Sequence, residues 1–263
     1  MCPDVDVESC DFWKFKSDAD HWQSVIDNYE QLIVIPEAQG LGVVDFSILP
    51  NVTWVPGFSF CGFHPDLSYV AHGNTAVKSP MDDYHSIIIF AAFNKGLSES
   101  ETHRLFCANF YDKLGFFSIW ESEKKALFES FDSVGLNIRA NFVQWMRSGC
   151  FMYTTNHPRI NAIYDVANLV AVKIKKREII NCGIIPHDNL TVAPIFPVYP
   201  EIAERYGLSP GSYFFKSFFS YRVFDLDEFI EGSFKVYRNY NSGDLRAGNP
   251  FYNNAIKLIT EGV

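Results

Sequence analysis

The period of the apolar positions changes several times along the chain, and each change marks an element. Val5 and Val7 alternate with Asp6 and Glu8, the two-residue period of a half-buried strand. From Asp18 to Tyr29, the residues Ala19, Trp22, Val25, Ile26 and Tyr29 recur at helical spacing, with Ser17 placed to cap them. Leu32-Ile33-Val34-Ile35 is a short apolar run closed by Pro36, as in a buried parallel strand. Strand, helix and strand in that order predict a βαβ unit. Gln39–Gly42 reads as a loop, because its glycines lack the full dinucleotide-binding spacing. Val52–Val55 is a third strand, leading through Pro56-Gly57 into Phe58-Ser59-Phe60.

Beyond about Gly73 the period becomes helical. Asp83–Asn94 is apolar nearly all round, which predicts a buried helix ended by Gly96. Ser98 and Glu101 form a capping-box pattern for a helix reaching about Leu114, and Ser118 with Glu121 repeats it for a helix to about Phe131. Asn137–Arg147 is amphipathic, with Ile138, Phe142, Val143 and Met146 inward. Asn156 and Pro158 suit the start of another helix, which turns basic at Lys173, Lys175, Lys176 and Arg177. Shorter helices follow over Glu201–Tyr206, after Asp225, and from about Pro250 to Ile259. The expected class is α/β: a small N-terminal parallel sheet of βαβ type (1–72) with a large, mainly helical C-terminal part (73–263), together one domain.

Composition narrows the function. With 25 Phe and 13 Tyr in 263 residues, the chain is far too aromatic to be disordered. A net charge of −9 argues against general nucleic-acid binding, which needs lysines and arginines on phosphate. No apolar run is long enough for a membrane span and the first residues lack a signal-peptide pattern, so the chain reads as cytoplasmic. The six cysteines include no Cys-x-x-Cys pair and read as scattered thiols, neither a disulfide frame nor a zinc site.

Chemistry concentrates in three loops. Gly62-Phe63-His64-Pro65-Asp66 puts an imidazole and a carboxylate two residues apart at the end of a strand. His64 is a candidate general base or acid, since a free imidazole titrates near ~6.5, and Asp66 a candidate for orienting it. The bland alternative is a hydrogen-bonded turn histidine beside a capping aspartate. Asp82-Asp83-Tyr84-His85 and Asn156-His157-Pro158 each place a histidine where a loop should meet a helix. The acidic pair in the first suits a helix N-terminus, and His157 has the ordinary reading of a cap residue in solvent. Ser59, Cys61 and Ser79 are candidate nucleophiles, but none sits in a Gly-x-Ser-x-Gly elbow. No histidine pair has metal-ligand spacing, so no metal is expected.

Together these segments resemble the WcbI-type polysaccharide biosynthesis proteins of bacterial capsule clusters. The resemblance rests on Phe58–Leu67, Ser79–Ser86, Phe151–Pro158 and Pro197–Ala203, with weaker support from Gly211–Lys216 and Leu226–Phe229. It implies a coenzyme A-binding protein that transfers an acetyl group from acetyl-CoA to the hydroxyl of a capsular sugar. On that reading His64, Asp66, His85 and His157 are the catalytic candidates, and Ser59, Tyr84, Asn156, Arg159 and Lys216 the residues that meet the cofactor. Family members usually open with a strand ending in Gly-Asn-Cys-Gln. Here Val5–Ser9 reads as the second strand and Cys10 stands in a different context, so the resemblance also admits a non-catalytic CoA- or glycan-binding protein. A Ser/His/Asp hydrolase is the third reading.

Overall fold

A computed structural model describes residues 6–175, 186–208, 210–218, 222–241 and 243–262. Asp6 to Cys10 are irregular rather than a strand. Val7 is 84% exposed, so the alternation has no apolar face to bury. The chain enters helix α1 (Phe12–Ser17), where the Asp11 carboxylate accepts from the Lys14 amide, and then α2 (Ala19–Val25). Strand β1 (Leu32–Val34) pairs in parallel with β2 (Val52–Trp54), Ile33 standing opposite Thr53. The crossover between them is built from 3-10 turns at Pro36–Leu41 and Phe46–Ile48, so Gln39–Gly42 is mostly helical turn and not open loop. Pro36 fixes the first turn's entry, and Gly42, at φ 67°, ends it in the left-handed region. Phe15, Trp22, Ile26, Ala38, Val43 and Phe46 form a small core there.

Strand β3 (Leu67–Ser68) follows, then a hairpin of β4 (Val70–His72) and β5 (Thr75–Ala76), and then β6 (His85–Ser86), antiparallel to β3. Because the 79–84 turn and β6 use the residues expected to open a helix, α3 begins only at Ile87 (Ile87–Asn94). Ile87 to Ala92 are all buried, as the all-round apolar pattern requires. The capping box at Ser98 forms with both bonds, but α4 (Glu99–His103) is short. Leu105 and Phe106 bond back only three residues, which tightens and ends it before α5 (Ala108–Leu114).

Helix α6 (Trp120–Ser133) lacks the predicted cap, because the Ser118 hydroxyl donates backward to the Gly115 carbonyl. In α7 (Arg139–Arg147) the buried residues are Phe142 and Trp145, and Val143 faces outward at 50% exposure. Helix α8 (Ile160–Lys175) gives its first amide, that of Ile160, to the Asp188 carboxylate, so Asn156 is left to bond elsewhere. Lys173 donates to the Val134 carbonyl, while Lys176 and Arg177 lie outside the described residues. Helix α9 (Pro200–Arg205), the pair β7 (Phe215–Lys216) and β8 (Val223–Phe224), capped α10 (Leu226–Tyr237), β9 (Leu245–Ala247) and α11 (Tyr252–Glu261) complete the chain.

Two larger cores hold this part together. One surrounds α3 with α4, α10 and α11, and the other packs Phe60, Phe63, Phe131, Phe142, Trp145 and Phe151. β9 pairs with β4, and just beyond it Asn249 donates to the Pro65 and Leu67 carbonyls at 3.0 and 2.7 Å. The C-terminal segment thereby clamps the His-Pro-Asp turn.

Candidate functional site

The three loops converge. Phe60 donates its amide to the Thr155 carbonyl at 2.8 Å, which ties the first loop to the third, and Tyr84 ties the second to the third through its hydroxyl. Within the first turn, Cys61 donates its amide to Glu123 at 2.8 Å, and His64 donates its own to the Cys61 carbonyl at 3.0 Å. Gly62 is there because nothing larger fits: a Cβ would stand 2.7 Å from the Phe60 ring and 2.8 Å from Trp120. Both rings are locked in aromatic contacts with each other and with Phe63. Gly62→Ala is expected to cost about 1–3 kcal/mol by overpacking, read as a lower urea midpoint at unchanged slope.

His64 is buried, and its Nε2 lies 3.2 Å from the Phe196 carbonyl. That contact makes Nε2 the protonated nitrogen, leaving Nδ1 as a buried acceptor without a partner. Burial holds the ring neutral, its pKa lowered to about 3, with the Arg159 charge adding slightly in the same direction. Asp66 turns away from His64. Its Oδ1 accepts from the Ile88 amide at 3.0 Å and its Oδ2 from the Tyr199 hydroxyl at 2.7 Å, while its carbonyl takes the Ile87 amide at 2.8 Å. With Ser86 accepting from Ile89, the first amides of the buried helix α3 are all satisfied. Burial raises the Asp66 pKa, against the pull of its donors.

His85 is wholly buried and both its nitrogens are engaged, Nδ1 with Tyr237 Oη and Nε2 with the Val77 carbonyl, each at 2.8 Å. Burial lowers its pKa to about 4. It links β6 to α10 and offers nothing to solvent.

The open part of the site lies around Tyr84. Its hydroxyl is 2.5 Å from Asn156 Oδ1, 3.1 Å from Thr154 Oγ1 and 3.5 Å from His157 Nε2. Asn156 is exposed and donates its Nδ2 to Tyr69 Oη at 3.1 Å. Tyr69, itself 49% exposed, tilts against the Tyr84 ring. His157 is half-buried. Its Nδ1 is shielded from solvent and has no partner, and burial lowers its pKa so that the ring is neutral near pH 7. Burial keeps the Tyr84 phenol protonated, its pKa well above the usual value.

The remaining candidates divide. Arg159 is exposed, its guanidinium stacked 4.8 Å over Tyr153 beside His157. Ser59 is exposed on the way into the turn. Lys216 directs its ammonium to the Thr191 and Ala193 carbonyls at 2.5 and 3.0 Å, and burial lowers its pKa. Ser79 is occupied by the Tyr84 carbonyl and the Met81 amide. Burial, reinforced by Glu123, pushes the Cys61 thiol up to about 12, and burial takes Cys150 to about 11, so neither is a thiolate at neutral pH. Cys2 and Cys182 lie outside the described residues. Tyr69, Thr154, Phe196 and Tyr199 belong to the site without a sequence signal that marks them. Thr154 and Tyr199 stand inside segments that carry the family resemblance, but nothing in their spacing assigns them partners up to 133 residues away. Among the described residues no His/Cys/Asp/Glu group could hold a metal, and no helix is long and apolar enough to cross a membrane.

No curated protein matches the chain. A solved structure of WcbI, a polysaccharide biosynthesis enzyme, in its native form without a disulfide bond between coenzyme A and a cysteine, superposes with a TM-score of 0.66. The alignment covers 96% of this chain and 85% of that one at 14% identity, a likeness of fold. The sequence profile of polysaccharide biosynthesis enzyme WcbI matches residues 23–177, more than half of the chain and all three site loops. This chain belongs to the WcbI family of polysaccharide biosynthesis enzymes.

Proposed function

We propose that the protein binds coenzyme A and transfers the acetyl group of acetyl-CoA to a sugar hydroxyl, with His157 as the base. The observation that carries this is the His157 imidazole: neutral, half-buried, its Nδ1 covered but without a partner, at the junction of the three loops. His85 has no free nitrogen and His64 is buried whole, whereas His157 is half-buried next to the exposed Asn156, where a small movement of the loop uncovers its Nδ1. Once the loop uncovers it, His157 Nδ1 takes the proton of the acceptor hydroxyl as its oxygen attacks the thioester carbonyl, and returns it to the departing thiolate. The exposed Asn156 amide has a second N–H to offer the oxyanion. Arg159 is exposed and fit for a CoA phosphate, which Lys216, engaged with two carbonyls, is not. The CoA named with the WcbI structure supports the cofactor.

Ser59 has no histidine hydrogen bond among the described residues, which leaves the hydrolase reading without a nucleophile–base pair. The test is calorimetric titration with CoA, then acetyl-CoA turnover against a panel of sugar acceptors. Arg159→Ala is expected to weaken CoA binding about tenfold, the worth of one charge-assisted contact. His157→Ala is expected to lower turnover by about 10²–10⁴ with CoA affinity kept. Failure to bind CoA would overturn the proposal, and binding without turnover on any acceptor would leave a CoA-binding protein.

A further inference from the structure

We infer that Tyr84 is a positioning residue that sets the tautomer of His157, keeping the proton on Nε2 and the lone pair on Nδ1; this rests on His157 being the base. The Tyr84 hydroxyl has one hydrogen and four neighbours: Asn156, Thr154, His157 and the Tyr69 hydroxyl. At 2.5 Å, Asn156 Oδ1 takes that hydrogen in preference to His157 Nε2 at 3.5 Å. The Asn156 amide is turned so by its other end, where Nδ2 donates to Tyr69 Oη at 3.1 Å. With its hydrogen given away, the Tyr84 oxygen can only accept, from His157 Nε2–H and from the Thr154 hydroxyl, whose one hydrogen it shares with Asn156 Oδ1 at the same 3.1 Å. A neutral imidazole that donates from Nε2 has its lone pair on Nδ1, the nitrogen that lacks a partner. The Tyr84 ring is fixed in this orientation by packing between Tyr69, His157 and Phe196.

The chain of contacts makes graded predictions for two substitutions. Tyr84→Phe removes the acceptor and lets the ring relax toward the modest preference of a free histidine. Asn156→Leu removes the acceptor of the Tyr84 hydrogen, which then divides between Thr154 Oγ1 at 3.1 Å and Nε2 at 3.5 Å, and the share that reaches Nε2 drives the proton to Nδ1. Asn156 is exposed, so this second variant keeps the core intact.

The experiment is long-range ¹⁵N–¹H NMR of the full chain labelled at histidine, near pH 7.5, with His157 assigned by its loss in His157→Gln. The wild type is expected to show a pyridine-like Nδ1 and a pyrrole-like Nε2. Asn156→Leu is expected to move the tautomer ratio toward Nδ1–H by up to roughly fivefold, about the worth of one hydrogen bond. In Tyr84→Phe the ratio should fall without inverting, and kcat with acetyl-CoA should drop while the affinity for CoA holds. A pyridine-like Nε2 in the wild type would overturn the inference, since the Asn156 amide would then be turned over, as would an unchanged ratio in Tyr84→Phe. The spectra report on the tautomer whether or not acetyl transfer is the reaction, so failure here and failure of the proposed function are separable.

Discussion

Asp66→Ala is expected to lower folding stability by roughly 3–5 kcal/mol, a large share of what a domain of this size has. The carboxylate lies in the core and holds the second amide of α3 at 3.0 Å and the Tyr199 hydroxyl at 2.7 Å. Alanine strands both donors where water cannot replace the lost acceptor, and each stranded group costs about 1–3 kcal/mol. The helix concerned is apolar on every side, so its N-terminus has no wet face to turn to. Asp66→Asn keeps one acceptor and should recover about half of the loss. Urea unfolding of the three proteins measures this, and a loss below about 1 kcal/mol for alanine would refute the buried-cap role. An Asp66 that served mainly to orient His64 would show the reverse: near-normal stability and a collapse of turnover.

A second large effect is acid sensitivity. His64 and His85 are buried neutral, with pKa values lowered from the ordinary 6.5 to about 3 and about 4. In the unfolded chain both titrate near ~6.5. Between pH 6.5 and 4 the unfolded state therefore binds more protons than the native state, and stability falls as pH falls. It is fully present above pH 6.5 and is lost toward the folded values. With two protons at stake the slope approaches about 2.7 kcal/mol per pH unit near pH 5, and His157, its pKa also lowered by burial, acts in the same direction. Asp66, its pKa raised by burial, opposes this at the acid end of the window. Urea midpoints at pH 7.5 and pH 5 should thus differ strongly, and equal midpoints would contradict the burial of both rings. His85→Gln, which can still bond Tyr237 or Val77, should roughly halve the slope at some cost in stability at neutral pH.

Local signals in the sequence are a good guide wherever the deciding interaction is local. The Ser98 and Asp225 capping boxes form with both bonds, because each joins residues three apart. The all-round apolar run at Ile87–Ala92 is buried on all sides, and β1 and β2 pair in parallel. The same signals mislead where a distant partner decides. Asn156 has the pattern of a helix cap, but α8 is capped by Asp188, and the Asn156 amide is left to join Tyr84 to Tyr69. His64 and Asp66, two residues apart, have the spacing of a pair, yet each is bound by an element more than a hundred residues away: Phe196 for the imidazole, Tyr199 for the carboxylate. The meeting of the three loops is legible in the sequence as a hypothesis. Which histidine keeps a free nitrogen is not, because that depends on depth and on carbonyls such as those of Val77 and Phe196.

The clamp formed by Asn249 has a consequence for biosynthesis. Its amide grips the carbonyls of Pro65 and Leu67 across 184 and 182 residues of chain. During translation the His-Pro-Asp turn emerges early and waits, without this restraint, until β9 and Asn249 have cleared the ribosome. Contacts of such long sequence separation form late and slow folding, because loop closure must precede any stabilisation they bring. A stalled chain ending before Leu245 should carry the Gly62–Asp66 turn in a protease-accessible state, and release of the full-length chain should close it.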